Sequence, residues 1–293
     1  MSFAVMTDSS ANLEPAHLQE HDLQIIPFSY YTDGQEHNIL KDGRFHADEF
    51  YNRIRRGLKV TTSQINPQQY IDFFEPCLKA GKDILFVAMS SGISGSCASA
   101  RLAARELCEK YRGRSIEIVD SLGASLGEGL LVLRAAKLRD LGIGICDAAA
   151  QIRQHAKKMF QVFTVDDLMH LRRGGRLSNL SAVVGTVLQL KPLLKGNEEG
   201  KIVAFSKIRG RKRSIEALAE EYERYVIDPQ NQIVGIAQAG CREDAERLEQ
   251  LISRCHPPRQ ILTVEYEPVT GSHVGPGALA LFFEGGENVR SME

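Results

Sequence analysis

Ser90-Ser91-Gly92-Ile93-Ser94-Gly95-Ser96 gathers four serines and two glycines into seven residues. The apolar run Ile84 to Met89 precedes it and reads as a buried strand. Cys97 to Tyr111 follows, with Ala100, Leu102, Ala103, Leu107 and Tyr111 at helical spacing. A strand, a Gly/Ser turn and a helix start together make an anion cradle. The first helical N–H groups have no partners, the helix dipole is positive there, and small residues let a ligand approach the backbone. The turn contains no Lys or Arg, which favours one carboxylate or single phosphate over a triphosphate. An N-cap with a tight turn needs one Ser and one Gly, and the excess here marks the stretch as functional.

Four other polar clusters invite the same question. Asp8, in Thr7-Asp8-Ser9-Ser10, reads as an N-cap in preference to a ligand contact. Thr61-Thr62-Ser63-Gln64 is either capping decoration or a hydroxyl-rich pocket wall. Arg172-Arg173-Gly174-Gly175-Arg176 sets fork-shaped donors on a bent backbone suited to carboxylate or phosphate, beyond what a helix C-terminus requires. His273 has Gly271 on one side and Gly275-Pro276-Gly277 on the other, and is expected to be presented from a rigid loop over residues 269–277. A fifth cluster, Lys207, Arg209, Arg211, Lys212 and Arg213, is either a solvated helix start or a dock for an acidic partner.

These groups need a scaffold, and composition bounds it. With 293 residues, 43% hydrophobic and 25% charged, two globular domains of about 150 residues each are expected. A net charge of −1 argues against a dedicated nucleic-acid binder. No basic segment precedes the first apolar run, so a secretory signal is not expected. No apolar run reaches the roughly 18 residues of a membrane span. The six cysteines include no C-x-x-C pair, which points to reduced thiols in a cytoplasmic protein. Apart from His17 and His21, four residues apart with no cysteine near them, the eight histidines show no ligand-spaced pair, and neither metal nor cofactor is expected.

Along the chain, strands are expected at Phe3 to Met6, Leu23 to Tyr31 and Ile116 to Val119, with a hairpin through Thr32-Asp33-Gly34 to Ile39. Helices are expected at Pro15 to Glu20, around Phe50, Ile54 and Leu58, and from an Asn66 cap with Pro67 at N1. Gly123, Gly127 and Gly129 in a helical stretch imply close packing or a ligand approach. The alternation gives a mainly parallel α/β unit over residues 1–157. A second α/β unit, residues 158–293 with a mixed or antiparallel sheet, takes strands at Phe160 to Val165, Ile202 to Ile208, Ile233 to Gln238, Ile261 to Tyr266 and Ala278 to Phe283. Between them Leu180 to Leu190 reads as a helix apolar nearly all round, ended by Lys191-Pro192. It is either core or cavity wall.

Eight motifs in order span nearly the whole chain: Thr7-Asp8-Ser9, Thr62-Ser63-Gln64, the Ser90–Ser96 turn, Asp120-Ser121, Leu171 to Ser178, Leu190 to Leu194, the basic segment around Arg209, and His273 to Gly277. Together they resemble the DegV family of bacterial fatty-acid-binding proteins. The resemblance implies a tunnel between two α/β domains holding one long-chain fatty acid such as palmitate, stearate or oleate. Its carboxylate would be held by Thr62, Ser94 and Gly95, with Arg173 and His273 completing the polar end. The resemblance also implies a partner, a fatty acid kinase that makes the acyl phosphate for phospholipid metabolism, with Arg209 as its docking residue. Membrane contact would be limited to transient lipid exchange. Ser96 where threonine is common, Cys97 for an aromatic and Gly210 within the basic run depart from the family pattern. Burying about 15 methylenes at roughly 0.8 kcal/mol each caps the tail's contribution near 12 kcal/mol, before association costs.

Two other readings compete. A serine esterase or thioesterase would use Ser94 with His273 and Asp120, but Gly92-Ile93-Ser94-Gly95-Ser96 lacks the second glycine of G-x-S-x-G. A nucleotide-phosphate binder lacks both the Walker lysine and G-x-G-x-x-G.

Overall fold

The computed structural model describes residues 3–41, 43, 45–178, 190–286 and 289–291. Strands β1 (Ala4–Asp8), β2 (Leu23–Ile26), β6 (Ile84–Ala88) and β7 (Ile116–Asp120) form a parallel sheet in the order β2-β1-β6-β7. Strand alternation makes it the middle of three layers. Ala4, Met6, Ile84 and Phe86 pack on helices α3 (Pro67–Lys79) and α4 (Ser96–Lys110). Val5, Leu85 and Val87 face α5 (Leu126–Asp140) and α6 (Ile145–Lys158).

A small antiparallel sheet, β4-β3-β5, stands beside it, built from β3 (Ser29–Thr32), β4 (Gln35–His37) and β5 (Val60–Ser63). The single strand expected over Leu23 to Tyr31 is therefore two strands in two sheets. Pro27 has no N–H for a ladder, and the Phe28 N–H donates instead to Ser9 Oγ at 2.9 Å. Helix α1 (Pro15–Glu20) lies where the spacing placed it, α2 (Ala47–Arg55) carries Phe50 and Ile54 but ends before Leu58, and Asn66 closes a capping box with Gln69.

The third sheet is mixed, with β8 (Met159–Thr164), β9 (Leu190–Gly196), β10 (Ile202–Arg209), β11 (Ile233–Gln238), β12 (Gln260–Glu265) and β13 (Leu279–Glu284). Its order is β10-β9-β8-β13-β11-β12, antiparallel throughout except for β11 beside β12. Helices α8 (Arg211–Tyr225) and α9 (Arg242–Cys255) cover one face through Leu218, Tyr222 and Leu248. Two short helices, α7 (Leu168–Arg173) and α10 (Pro268–Val274), lie beyond the ends of its strands.

Two expectations need correcting. Most of the apolar stretch Leu180 to Leu190 lies outside the described residues, but Leu190 opens β9, so Lys191 and Pro192 belong to a strand. Pro192 sits past the end of the β8 ladder, which reaches only Leu193, so its missing N–H leaves no gap there. The expected loop at residues 269–277 is largely the helix α10. Glu267 caps it, accepting from the Val269 and Thr270 amides at 2.6 Å each, and Pro268 occupies its first turn.

The glycine packing is as expected. A Cβ added to Gly127 would lie 2.6 Å from the Gln161 side chain, and one on Gly129 would overlap the Ala11 carbonyl. Arg290 is buried, and its guanidinium donates to the carbonyls of Leu122, Met159 (2.7 Å) and Asn197 (3.0 Å). Among the described residues no helix is long and apolar enough to cross a membrane, and no group of His, Cys, Asp and Glu is placed to hold a metal.

Candidate functional site

The Ser90–Ser96 turn lies at the carboxyl end of β6, where open α/β sheets bind ligands. It is fastened from below. The Met89 amide donates to Asp8 Oδ2 (3.0 Å), and the Ser90 amide to Gly123 O (2.8 Å). Ser90 Oγ crosses to the β9–β10 turn, donating to Gly200 O at 2.9 Å. A Cβ on Gly92 would come within 2.6 Å of the Glu199 carbonyl, so that turn rests directly on the glycine backbone.

Beneath lies a buried polar seam. Ser10 Oγ lies 2.5 Å from both Asp8 Oδ1 and Glu128 Oε2, donating its one proton to one carboxyl and accepting from the other, and Thr7 Oγ1 meets Glu128 Oε1 at 2.8 Å. Burial pushes both carboxyls above their usual range, and for Glu128 the neighbouring Asp8 adds to the rise. Asp8 also accepts from the Ser10 amide, so it caps the short turn after β1 and does not reach a ligand.

The upper rim carries the site. Ser94 Oγ donates to Ser96 Oγ (3.0 Å) and accepts from the Ser96 amide (3.2 Å), while Ser96 Oγ accepts from the Ile65 amide (3.1 Å). Thr62, in β5, stands opposite Tyr30 in the small sheet and meets His273 Nε2 at 2.8 Å. His273 is the penultimate residue of α10, and Gly174 closes over its ring, where an added Cβ would lie 3.0 Å from Nδ1. His170 of α7 ties the two short helices together through Ser272 O at 2.5 Å. Burial, reinforced by the charge of Arg176 and by His170, lowers the His273 pKa to about 4. At neutral pH this ring is an uncharged hydrogen-bonding group.

These residues surround a cavity of about 290 Å³. Thr62, Ser94, Gly95, Arg176 and His273 contribute to its polar lining together with Ser63, Gln64 and Thr270, and Phe28, Met89, Ile93, Leu171 and Ile202 to its apolar lining. A smaller cavity of about 60 Å³ shares Ile93, Ile202 and Val274 with it and ends at Phe163 and Phe282. On the other side, about 520 Å³ shares Thr62, Arg176 and His273 and extends past Lys59 and Arg173. Polarity therefore falls from the outer space to the innermost.

The structure brings Thr62, Ser94, Gly95 and His273 together. Arg173 lines only the outer cavity and holds Asp167 at 3.3 Å through an exposed pair. The arginine shared by the outer and central cavities is Arg176, which the sequence placed in the cluster without singling it out. Its signal was Gly175, whose φ of +73° turns the chain just before it. Arg209 is the last residue of β10 and lines none of these three cavities. A hydrolytic triad is not assembled. Ser94 is bonded to Ser96, His273 to Thr62, and Asp120 accepts from the Ser91 and Leu122 amides.

Parallel and mixed sheets flanking a cavity with hydroxyls, a neutral imidazole and an arginine at one end and hydrocarbon at the other define an α/β architecture with an amphipathic interior site. The chain belongs to the DegV family: the family model described as "Uncharacterised protein, DegV family" matches residues 2–285. A DegV domain-containing protein of Clostridium perfringens is 38% identical over 283 residues, covering 97% of each chain. A solved DegV family protein from Thermus thermophilus, described as fatty acid binding, superposes with a TM-score of 0.88 at 27% identity over 97% of this chain and 100% of its own. The Bacillus subtilis DegV protein, also described as fatty acid binding, gives 0.81 at 28% identity over 98% and 100%.

Proposed function

We propose that this protein binds one long-chain fatty acid, its carboxylate at Thr62, Ser94, the Gly95 backbone and His273, and its tail among Ile93, Ile202 and Phe282. The observation that carries the reading is the Thr62–His273 hydrogen bond standing opposite Ser94 across a cavity that turns apolar inward. Hydroxyls and a neutral ring satisfy a carboxylate without burying a full counter-charge against it. Arg176 and Arg173, on the outer side, supply fork-shaped donors for a more highly charged head group. The fatty-acid-binding relatives support the same ligand class.

On this reading the protein is a cytoplasmic carrier that performs no catalysis itself. Residues 1–157 supply the hydroxyls and 158–293 the histidine and arginines, and the tail lies in a tunnel between the two units. A fatty acid kinase would phosphorylate the presented carboxylate, docking at the basic end of β10 around Arg209. Denaturing the purified protein and analysing the organic extract by mass spectrometry should yield one fatty acid per chain. An empty extract from protein that also fails to take up added oleate would sink the reading. Charge reversal at Arg209 should lower kinase-dependent acyl phosphate formation with fatty acid binding intact; equal loss of both would remove the docking role.

A further inference from the structure

A further cavity lies at the other end of the mixed sheet's strands. His273 and α7 lie where β8 finishes and β13 begins, whereas Met159 starts β8 and Glu284 finishes β13. At that opposite end is a cavity of about 390 Å³ that shares no residue with the three already described. Its volume is within the range of small-molecule sites. One face of α5 forms its side. Leu130, Leu133, Arg134 and Lys137 are three or four residues apart and project from the same stripe. Met159 and Ile233, each the first residue of its strand, complete an apolar floor. Leu141, just past the helix, is 67% exposed at its rim.

The charges around this floor do not cancel. Glu284 is engaged by Arg134 at 2.6 Å, and Asp140 by Arg139 at 2.9 Å. Lys137 and Arg259 also line the cavity, and among the described residues neither side chain has an ion pair or hydrogen bond. Two uncommitted cations above a hydrocarbon floor match a molecule with one anionic head and a short apolar body. The geometry points to a second ligand site here, for an amphipathic anion such as a medium-chain carboxylate or a monoalkyl phosphate. The unpartnered cations take the head group, and Leu130, Leu133 and Ile233 take the hydrocarbon.

Titration calorimetry with octanoate and with octyl phosphate, on oleate-loaded protein, tests the site. One saturable equivalent is expected for at least one probe. Lys137→Ala/Arg259→Ala, both exposed positions, should weaken it about tenfold or more, in line with loss of charge-assisted bonds. Leu133→Asp should remove it, whereas Thr62→Ala should leave it unchanged. The tighter probe identifies the head group. No saturable binding, equal affinity in the double variant, or loss in Thr62→Ala would overturn the assignment. The Thr62→Ala arm separates this site from the front cavity even if oleate does not occupy the latter.

Discussion

The two walls of the front cavity are built in opposite ways. The hydroxyl wall is anchored in depth: the Ser90–Ser96 turn hangs on Asp8 and Gly123, above a seam in which Thr7, Ser10 and Glu128 satisfy one another. The cation wall rests on little. Arg173 makes one exposed pair with Asp167, and such pairs contribute at most about 1 kcal/mol. The donors that must meet a carboxylate at a fixed point are thus preorganised, and half-buried Arg176 is held by the Gly174 carbonyl, while exposed Arg173 keeps its rotamer freedom and can follow a head group that changes size and charge.

The largest effect should come from undermining the anchored wall. Glu128→Ala removes one of the two partners of each of two buried hydroxyls and leaves a cavity, and should cost about 3 kcal/mol in chemical denaturation. A loss below about 1 kcal/mol would mean that the seam does not support the turn.

Next is pH. His273 titrates near 6.5 when unfolded and about 4 when folded, so the unfolded chain takes the proton first. Its contribution is intact above pH 6.5 and is lost as pH falls through about 4, amounting to about 2 kcal/mol after allowance for partial exposure. Glu267 behaves oppositely. Burial raises it from 4.5 to about 7, so its contribution is present below 4.5 and lost as pH rises through about 7. Thermal melts from pH 4 to 8 should show His273→Gln flattening the acid side and Glu267→Gln the neutral side. Unchanged slopes in both variants would refute the two assignments.

Smaller changes are expected at the rim. Ser94→Ala and Thr62→Val should each weaken fatty acid retention about tenfold while leaving stability within about 0.5 kcal/mol. The smallest effects test the loose wall. Arg176→Ala should reduce retention roughly threefold and Arg173→Ala less, since only Arg176 borders the central cavity. The reverse order would restore Arg173 as the main arginine contact.

Much of this was legible in the residues. Strand–turn–helix patterning located β6, the serine turn and α4, and the hydroxyl clusters at Thr62 and Ser94 do face one cavity. Three things were not legible. The break at Pro27 depended on a side chain far away in sequence, Ser9, taking the Phe28 amide. The helix around His273 was hidden because its glycines read as loop, while its Glu267-Pro268 cap lay just outside the motif. Which of Arg173 and Arg176 borders the central cavity depended on how Gly175 turns the chain, and periodicity carries no information about that. Local pattern identified the parts, and long-range contacts decided their orientation.

Arg290 adds an order of events. It holds carbonyls that precede it by 93, 131 and 168 residues. The parallel sheet can pair once β7 has left the ribosome, but the β9–β10 turn that presses on Gly92 is not clamped until residue 290 has emerged. The pairing of the parallel sheet therefore precedes, in chain order, the Arg290 clamp on the turn that covers it.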